Sequence, residues 1–352
     1  PHLVISDAVA LAKSWVERYG LGPDTIAEFA TAVQAPVISL HDSLKLVPIR
    51  IAKPWGQEIW YTGIEARGQS GVSDGRYSIP LPWLLALGEE QLLKAGGGQP
   101  NLLKILDPLP DEVFGDLYFE LHEEKREVYV VTGIDPRAWP DGRGAIRYGF
   151  DQQKRGDMGD DGRFRDQYMA AVKRYEVVRR EIDAQLDKIR LAQGVELNAP
   201  VFAATLKSWL GRIPDDLHER EANAREEMNS FTSLRPLQLG DVVKVSCLTP
   251  HALQHGVRTV EFQTPVYERK ILNFAQKVLT QGYWDTAEAV AIMNLDPPPV
   301  EDLVVVDSGD GFTLEQVVSF ADFRALRLTL APGADYALNM GDSYKIVMVV
   351  DG

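Results

Sequence analysis

The residues best suited to chemistry lie within one short stretch of the chain. The stretch contains Gly115, Glu120, His122, Glu127 and Gly133, which are separated in turn by four, one, four and five residues. Alternate residues on a strand face the same side, so Glu120 and His122 are expected to project together. A tight turn at residues 123–125 would bring Glu127 beside them on the next strand. Two carboxylates and one imidazole on one wall provide most of a divalent-metal site with mixed oxygen and nitrogen ligands.

A fourth ligand must come from another segment. His251, in the sequence LTPHALQHG, follows a predicted strand that opens at Leu239. It is the better of the two local histidines, because His255 falls in the turn before Gly256. Exposed hairpins also carry Glu and His without a metal, so a solvated hairpin is the alternative interpretation of these residues.

The elements that would position these residues form two β-rich regions around a helical insertion. Alternating apolar residues predict strands at 44–51, 58–64, 102–108, 117–133 (a hairpin broken at 123–125), 239–253, 257–264, 323–333 and 344–352. Helical spacing of apolar residues predicts helices at 7–19, 80–93, 166–193, 200–228 and 285–293. The stretch 136–162, rich in Gly, Asp and Arg, predicts an exposed loop.

Composition narrows the class of protein. The chain has 352 residues and a formal net charge of −14, which argues against a nucleic-acid or anionic-membrane partner but leaves room for a small anionic substrate. Its one cysteine, Cys247, excludes an internal disulfide and a cysteine-based zinc site, and fits a reducing compartment. With no apolar run of about 18 residues, a soluble, cytoplasmic protein is expected.

The motif around His122 resembles the first motif of the cupin superfamily, with Glu120 in place of the usual first histidine. More specifically, the order of segments resembles that of type I mannose-6-phosphate isomerases. The matching segments are KPWG (53–56), LLKILDP (102–108), YFELHEEKRE (118–127) and PHALQHGVRTVEFQTP (250–265). The resemblance covers roughly residues 45–350.

This resemblance implies a mainly β fold of cupin (double-stranded β-helix, jelly-roll) barrels with a helical insertion. The expected domains are an N-terminal helical extension (1–39), a metal-binding cupin barrel (40–135 and 236–272), a loop and helical insertion (136–235), and a second, partial cupin-like unit (273–352). We expect the insertion to carry no metal ligand. Its one histidine, His218, would overturn this division if it lay in the metal centre.

The resemblance also implies functional residues. The family's ligands for a divalent metal, with zinc the expected ion, fall on Glu120, His122, Glu127 and His251. Its active-site lysine falls on Lys125 and the glutamate of its Glu-Ile-Gln stretch on Glu261. Its catalytic arginine lies nearer position 271, which is isoleucine here, so Arg269 is the closest match and Arg258 a weaker substitute.

Several positions depart from the family pattern. Glu120 stands where the family has glutamine, which adds a negative charge and lowers the Lewis acidity of a bound metal. Glu123 and Arg126 stand where the family has prolines. The Pro-x-Gly before the second histidine is Ser-Cys-Leu at 246–248. The resemblance therefore implies metal binding by this chain more strongly than it implies the identity of the substrate.

The function expected from the resemblance is a metal-dependent aldose–ketose isomerase acting on a sugar phosphate, such as mannose 6-phosphate to fructose 6-phosphate. A divalent cation would polarise the sugar oxygens, Glu261 would move the proton, and Lys125 and Arg269 would hold negative charge. One alternative is a non-catalytic sugar-binding or regulatory cupin with a structural metal. Another is a cupin oxygenase with Fe(II) or Mn(II). The expected partner is a small sugar or sugar phosphate, with no nucleic acid or membrane and a homodimer as the candidate oligomer.

Overall fold

The structure of the protein is a computed structural model that describes residues 2–4, 6–20, 22–39, 43–92, 99–300, 302–339 and 344–352. The helices of these residues are α1 (Val9–Tyr19), α2 (Pro23–Ala32), α3 (Leu81–Leu92), α4 (Gln152–Met158), α5 (Asp161–Ala192), α6 (Ala203–Leu210), α7 (Asp215–Asn229) and α8 (Thr286–Ile292). The first strands are β1 (His2–Val4), β2 (Val37–Ser39), β3 (Lys45–Val47), β4 (Ile49–Lys53), β5 (Gly56–Trp60), β6 (Ile64–Glu65), β7 (Gly68–Gln69), β8 (Gly71–Ser73), β9 (Ser78–Pro80) and β10 (Leu102–Pro108). The remaining strands are β11 (Phe119–Leu121), β12 (Glu127–Ile134), β13 (Gly144–Phe150), β14 (Thr232–Leu237), β15 (Val242–Val245), β16 (His251–Leu253), β17 (Val257–Gln263), β18 (Lys270–Asn273), β19 (Val304–Gly309), β20 (Phe312–Ser319) and β21 (Arg324–Leu330).

The chain forms two compact units. The first comprises Pro1–Arg50, Trp60–Leu102 and Met340–Val347, and the second comprises Ile51–Ile59, Leu103–Asn339 and Met348–Gly352. Each unit is a region of dense packing within the chain. The four domains expected from the sequence are a different division and stay a prediction.

The first unit holds small antiparallel sheets and the first three helices. Strands β3, β8 and β9 form one sheet, β1 pairs with β2, and β6 pairs with β7. Its core is small and apolar, and consists of Ile38, Val72, Ile79, Leu81 and Leu84. Helix α3 lies within the helix predicted at 80–93, where the apolar run PLPWLLAL begins.

The second unit holds the larger sheets. A six-stranded sheet has the order β15-β12-β17-β10-β5-β4, and a five-stranded sheet has the order β14-β13-β16-β11-β18. Side chains of both sheets enter one hydrophobic core, with Tyr129 and Val243 from the first and Phe119 and Ile146 from the second. The fold is therefore mainly β, as expected. Neither sheet closes on itself within the described residues, so a closed jelly-roll barrel stays a prediction.

The hairpin predicted at 117–133 is wrong. Strand β11 pairs with β16 and β18, whereas β12 pairs with β15 and β17, so the two strands belong to different sheets. The break at 123–125 is a crossing between sheets. Both strands find better partners far along the chain, which the local pattern could not show.

The exposed loop predicted at 136–162 is also wrong in part. It contains β13, a central strand of the five-stranded sheet, which pairs with β14 and β16. Ala145, Ile146, Tyr148 and Phe150 are buried there. The Gly, Asp and Arg residues before the strand form a turn and obscure this short apolar pattern.

The helical insertion is built on the 32-residue helix α5. Asp160 caps its first turn by accepting the N–H of Arg163 at 2.7 Å. Buried aromatic residues on one face, Phe164, Tyr168 and Tyr175, join the large hydrophobic core of the second unit. On α7, His218 makes a hydrogen bond to the carbonyl of Leu210 at 2.9 Å.

The last part of the chain forms a three-stranded sheet, β19-β20-β21, that starts after α8. Helix α8 lies within the helix predicted at 285–293, and β21 within the strand predicted at 323–333. The strand predicted at 344–352 is wrong, since these residues pair with no strand of the described chain. None of the helices in the described residues combines the length and apolar character needed to cross a bilayer.

Two valines on α5 test how the insertion is stabilised. Val172 is fully buried in the core, whereas Val177 is 59% exposed. We expect Val172→Ala to lower the free energy of unfolding by about 2 kcal/mol, because it removes buried methyl groups and leaves a cavity. Val177→Ala should change it by less than about 0.5 kcal/mol. Urea denaturation compares the two variants, and equal effects would contradict the packing described here.

Candidate metal centre

Three side chains with metal-binding atoms meet between the two large sheets. Strands β11 and β16 are antiparallel, and their register places Glu120 opposite His251. His122 follows directly after β11. Glu127 begins β12 in the other sheet, between Val245 and Gln263 on the neighbouring strands. The strand order thus brings residues from distant parts of the chain to one place.

The donor atoms of His122, Glu127 and His251 all lie within 4.8 Å of one another. His251 Nε2 is 3.2 Å from Glu127 Oε2, and His122 Nε2 is 3.6 Å from Glu127 Oε1. His251, Glu127 and His122 are buried, with 3%, 2% and 1% of their surfaces exposed, respectively. Two imidazoles and a carboxylate in this arrangement are suitable ligands for a divalent metal.

Backbone carbonyls orient both imidazoles toward the centre. His122 Nδ1 lies 2.9 Å from the carbonyl oxygen of Glu268, and His251 Nδ1 lies 3.0 Å from that of Thr249. Each ring therefore turns its Nε2 inward, as metal-binding histidines do. The buried His122 Nε2 has no hydrogen-bond partner among the described residues. An inward nitrogen without a partner fits a metal ion at this position.

Glu127 keeps its negative charge although it is buried. Burial alone would raise the pKa of its carboxyl. Lys125, whose Nζ is 2.5 Å from Oε1, and the two imidazoles outweigh burial and hold this pKa well below its usual range. Tyr129 also donates its hydroxyl to Oε2 at 2.5 Å. The carboxylate is thus ionised and fixed in place.

Glu120 lies at the edge of this cluster. Its Oε1 is 3.9 Å from His122 Nε2, and it is not one of the three residues with converging donors. Its Oε2 is 3.6 Å from Arg269 Nη1. The guanidinium of Arg269 also lies over the ring of Tyr118, 4.6 Å from the centroid, and donates to Thr280 at 2.9 Å. The structure therefore brings Arg269 to the centre through Glu120.

Glu261 lies on β17 beside the cluster, opposite Tyr129 on β12. Lys104 Nζ is 3.2 Å from its Oε2, while its Oε1 is buried and accepts no hydrogen bond from the described residues. Burial and the nearby Glu127 carboxylate raise the pKa of Glu261 well above its usual range. The ammonium groups of Lys104 and Lys125 act in the opposite direction on this pKa and favour the ionised form, which can accept a proton.

Sequence reasoning gave no role to three further charged residues. Lys104 is buried and lies 3.9 Å from Glu58, which pairs with Lys53 at 3.3 Å. The ion pairs with Glu261 and Glu58 keep the ammonium of Lys104 charged, and its pKa is raised despite burial. The sequence signal for this role was a lysine inside the apolar strand LLKILDP. A lysine that is buried usually has an oppositely charged partner, because an unpaired lysine is rarely buried.

Glu268 was also missed. Its carboxylate accepts the N–H groups of Glu123, at 2.9 Å, and Glu124, at 3.2 Å, while its carbonyl holds His122. Glu123 stands where the family of the resemblance has proline, which has no N–H to donate. The carboxylate of Glu268 therefore fixes a loop, residues 123–126, that contains no proline to stiffen it.

Comparison with solved structures finds the same fold in mannose 6-phosphate isomerases. The enzyme from Bacillus subtilis matches with a TM-score of 0.53 at 14% identity, over 82% of this chain and 80% of that chain. The chain resembles the mannose-6-phosphate isomerases in fold. A zinc-bound holo mannose 6-phosphate isomerase has a TM-score of 0.45 at 14% identity, over 78% of this chain and 83% of that chain. No protein-family model and no curated protein matches the sequence.

Zinc affinity tests whether His251 is a metal ligand. We expect His251→Ala to lower zinc affinity by at least about 100-fold, since even the loss of a group that only orients a ligand weakens metal binding 10- to 100-fold. His218→Ala, a histidine change outside the cluster, should leave the affinity unchanged. Competition with a chromophoric chelator measures both. Equal zinc affinity in the two variants would show that His251 is not a ligand.

Proposed function

We propose that the protein is a metal-dependent aldose–ketose isomerase that acts on a sugar phosphate. The observation that carries this proposal is the position of Glu261 beside three converging metal donors, as a buried acid whose Oε1 accepts no hydrogen bond from the described residues. The similarity in fold to the Bacillus subtilis mannose 6-phosphate isomerase supports the finer proposal, the interconversion of mannose 6-phosphate and fructose 6-phosphate.

His122, Glu127 and His251 would hold the metal, with Glu120 as the proposed fourth donor. His251 Nε2 and His122 Nε2 lie 3.2 Å and 3.6 Å from the oxygens of Glu127, and His122 Nε2 lies 3.9 Å from Glu120 Oε1. Separations of this size suit ligands about 2.0–2.2 Å from a shared ion. Zinc is the proposed ion because imidazole and carboxylate together suit it well. When bound, it supplies Lewis-acid polarisation of the sugar's carbonyl and hydroxyl oxygens.

Glu261 is the proposed general base. Isomerisation breaks the C–H bond at C2 of the aldose and forms one at C1, while a hydroxyl proton moves from O2 to O1. Glu261 Oε1 accepts no hydrogen bond from the described residues and can take the proton from C2, and the same oxygen can return it to C1. Lys104 holds the other oxygen, which keeps the carboxyl oriented during both transfers.

Lys125 and Arg269 have separate proposed roles. Lys125 contacts Glu127 and therefore fixes a metal ligand in its ionised form. Arg269 offers a planar set of donors at the edge of the centre, where negative charge builds on the sugar oxygens in the transition state. The expected cytoplasmic location and homodimer stay predictions from the sequence.

Replacing Glu261 tests the reaction. We expect Glu261→Gln to lower kcat by about 100- to 10,000-fold, because the amide cannot take the proton. Its zinc content should stay that of the wild type. Glu315→Gln, on β20 and paired with Arg327, is the control and should keep full activity. Turnover of aldose and ketose phosphates in D₂O, with deuterium incorporation followed by NMR, measures both loss and mechanism.

Other outcomes of this assay would contradict the proposal. A zinc-loaded protein that converts none of the aldose or ketose phosphates is not an isomerase. Sugar binding without turnover would favour a regulatory protein with a structural metal. Oxygen consumption by the iron-loaded protein would favour an oxygenase.

Arg269 provides a separate test of transition-state stabilisation. We expect Arg269→Ala to lower kcat by about 100- to 1000-fold with unchanged zinc content, because a preorganised donor is lost. Arg269→Lys keeps the charge but not the planar set of donors and should recover part of the rate. Arg258, which faces Asp107 at 3.8 Å and is half-exposed, is the matched control. If Arg258→Ala loses activity and Arg269→Ala keeps it, the role belongs to Arg258.

A further inference from the structure

A row of ionisable side chains crosses the six-stranded sheet, starting at the metal centre. Its members lie on five neighbouring strands: Glu127 on β12, Glu261 on β17, Lys104 on β10, Glu58 on β5 and Lys53 on β4. Lys104 Nζ is 3.2 Å from Glu261 Oε2 and 3.9 Å from Glu58 Oε1. Lys53 Nζ is 3.3 Å from Glu58 Oε2. The row therefore leads from a metal donor to the strand at the edge of the sheet.

The row becomes more accessible with distance from the metal centre. The side chains of Glu127 and Glu261 are 2% and 1% exposed, whereas that of Lys104 is 10% exposed and that of Lys53 is 18% exposed. The buried end thus carries an acid beside the metal donors, and the outer end carries a lysine that is partly accessible to solvent. A ligand that reacts at Glu261 can extend along the row toward Lys53.

The lysines near the centre differ in their partners. Lys104 lies between two carboxylates, and Lys125 contacts Glu127. Within the described part of the chain, the ion-pair partner of Lys53 is a single oxygen of Glu58. An ammonium carries three donor hydrogens, so Lys53 can donate to a ligand while it keeps this ion pair.

The electrostatic surroundings of Lys53 also favour an anion. Burial lowers the pKa of this lysine, and the cations Lys104 and Arg269 lower it further, although Glu58 acts in the opposite direction. Arg269 Nε is itself buried and donates no hydrogen bond to the described residues. A negative group beside Lys53 would offset the repulsion between these cations.

The phosphate of the proposed substrate needs a cation of its own. In a hexose 6-phosphate, the reacting carbons C1 and C2 lie at one end and the phosphate lies at the other. With C2 at Glu261, the sugar can extend from the buried end of the row toward its outer end. We propose that Lys53 binds the phosphate of the substrate and makes the site specific for phosphorylated sugars. This assignment rests on the isomerase function proposed above.

Calorimetric titration of the zinc-loaded full chain with mannitol 6-phosphate tests this assignment. This probe has no carbonyl group and cannot isomerise, so the measurement does not depend on turnover. We expect Lys53→Met to weaken binding about 10- to 100-fold, the loss expected for a hydrogen bond between charged groups. Lys53→Arg keeps the charge and should retain most of the affinity. Lys173→Met changes an exposed lysine of α5 and should leave the affinity unchanged.

Kinetics separate phosphate binding from a structural role. With mannose 6-phosphate, Lys53→Met should raise KM about as much as it weakens binding and leave kcat nearly unchanged. A lower kcat with unchanged KM would mean that Lys53 acts only through Glu58 and Lys104 on the base, and would overturn the assignment. If KM and kcat are both unchanged, the assignment is wrong and the isomerase function stands. If mannitol 6-phosphate binds through Lys53 and no sugar phosphate is converted, the assignment stands and the isomerase function is wrong.

A measurement on the wild-type chain applies even if Lys53→Met does not fold. Mass spectrometry follows the reaction of lysines with an amine-reactive reagent, with and without a ligand. Mannitol 6-phosphate should slow the labelling of Lys53, and mannitol at the same concentration should not, while Lys173 should be labelled equally in both cases. The assignment is wrong if mannitol 6-phosphate does not bind, or if it binds without protecting Lys53.

Discussion

The burial of the Glu127 carboxylate is the constraint on which the centre of this protein depends. A buried carboxylate is strongly destabilising unless its oxygens are paired and hydrogen-bonded. Here Lys125 and Tyr129 contact the two carboxylate oxygens of Glu127, and the imidazoles of His122 and His251 lie beside the same carboxylate. Each partner must itself be held, which explains why carbonyls fix both histidines and why Glu268 fixes the loop that carries His122. The contacts that position the centre thus extend outward from one buried charge.

Strand register gives this network its geometry. Glu120 faces His251 across β11 and β16, and Glu261 faces Tyr129 across β12 and β17. A shift of one residue in either pair would turn these side chains to the opposite face of the sheet. Buried apolar residues of the same strands hold the register, since the same shift would also move Phe119 or Val131 out of its place in the core. Core packing and site geometry are therefore specified by the same pairing.

The local sequence pattern was enough to predict the elements whose own residues specify their secondary structure. Strand β10 matches LLKILDP, and α5 and α8 lie where helical spacing and capping residues placed them. The three converging donors also came from spacing and from a resemblance that the fold supports. The predictions that failed concern residues whose partners are distant in sequence. The apparent hairpin around residue 124 joins two sheets, β13 lies inside an apparent loop, and the role of Lys104 follows only from its contact with Glu261.

The order of the donors along the chain has a consequence for how this protein folds. Glu127 and His251 are 124 residues apart, with β13 and the whole helical insertion between them. Because closing so long a segment is slow, we expect the contact between them to form late in folding, after α5 and α7 have formed locally. A nascent or partly folded chain offers His122 and Glu127 without their third partner. A metal ion at this centre would therefore stabilise the completed chain over every earlier intermediate.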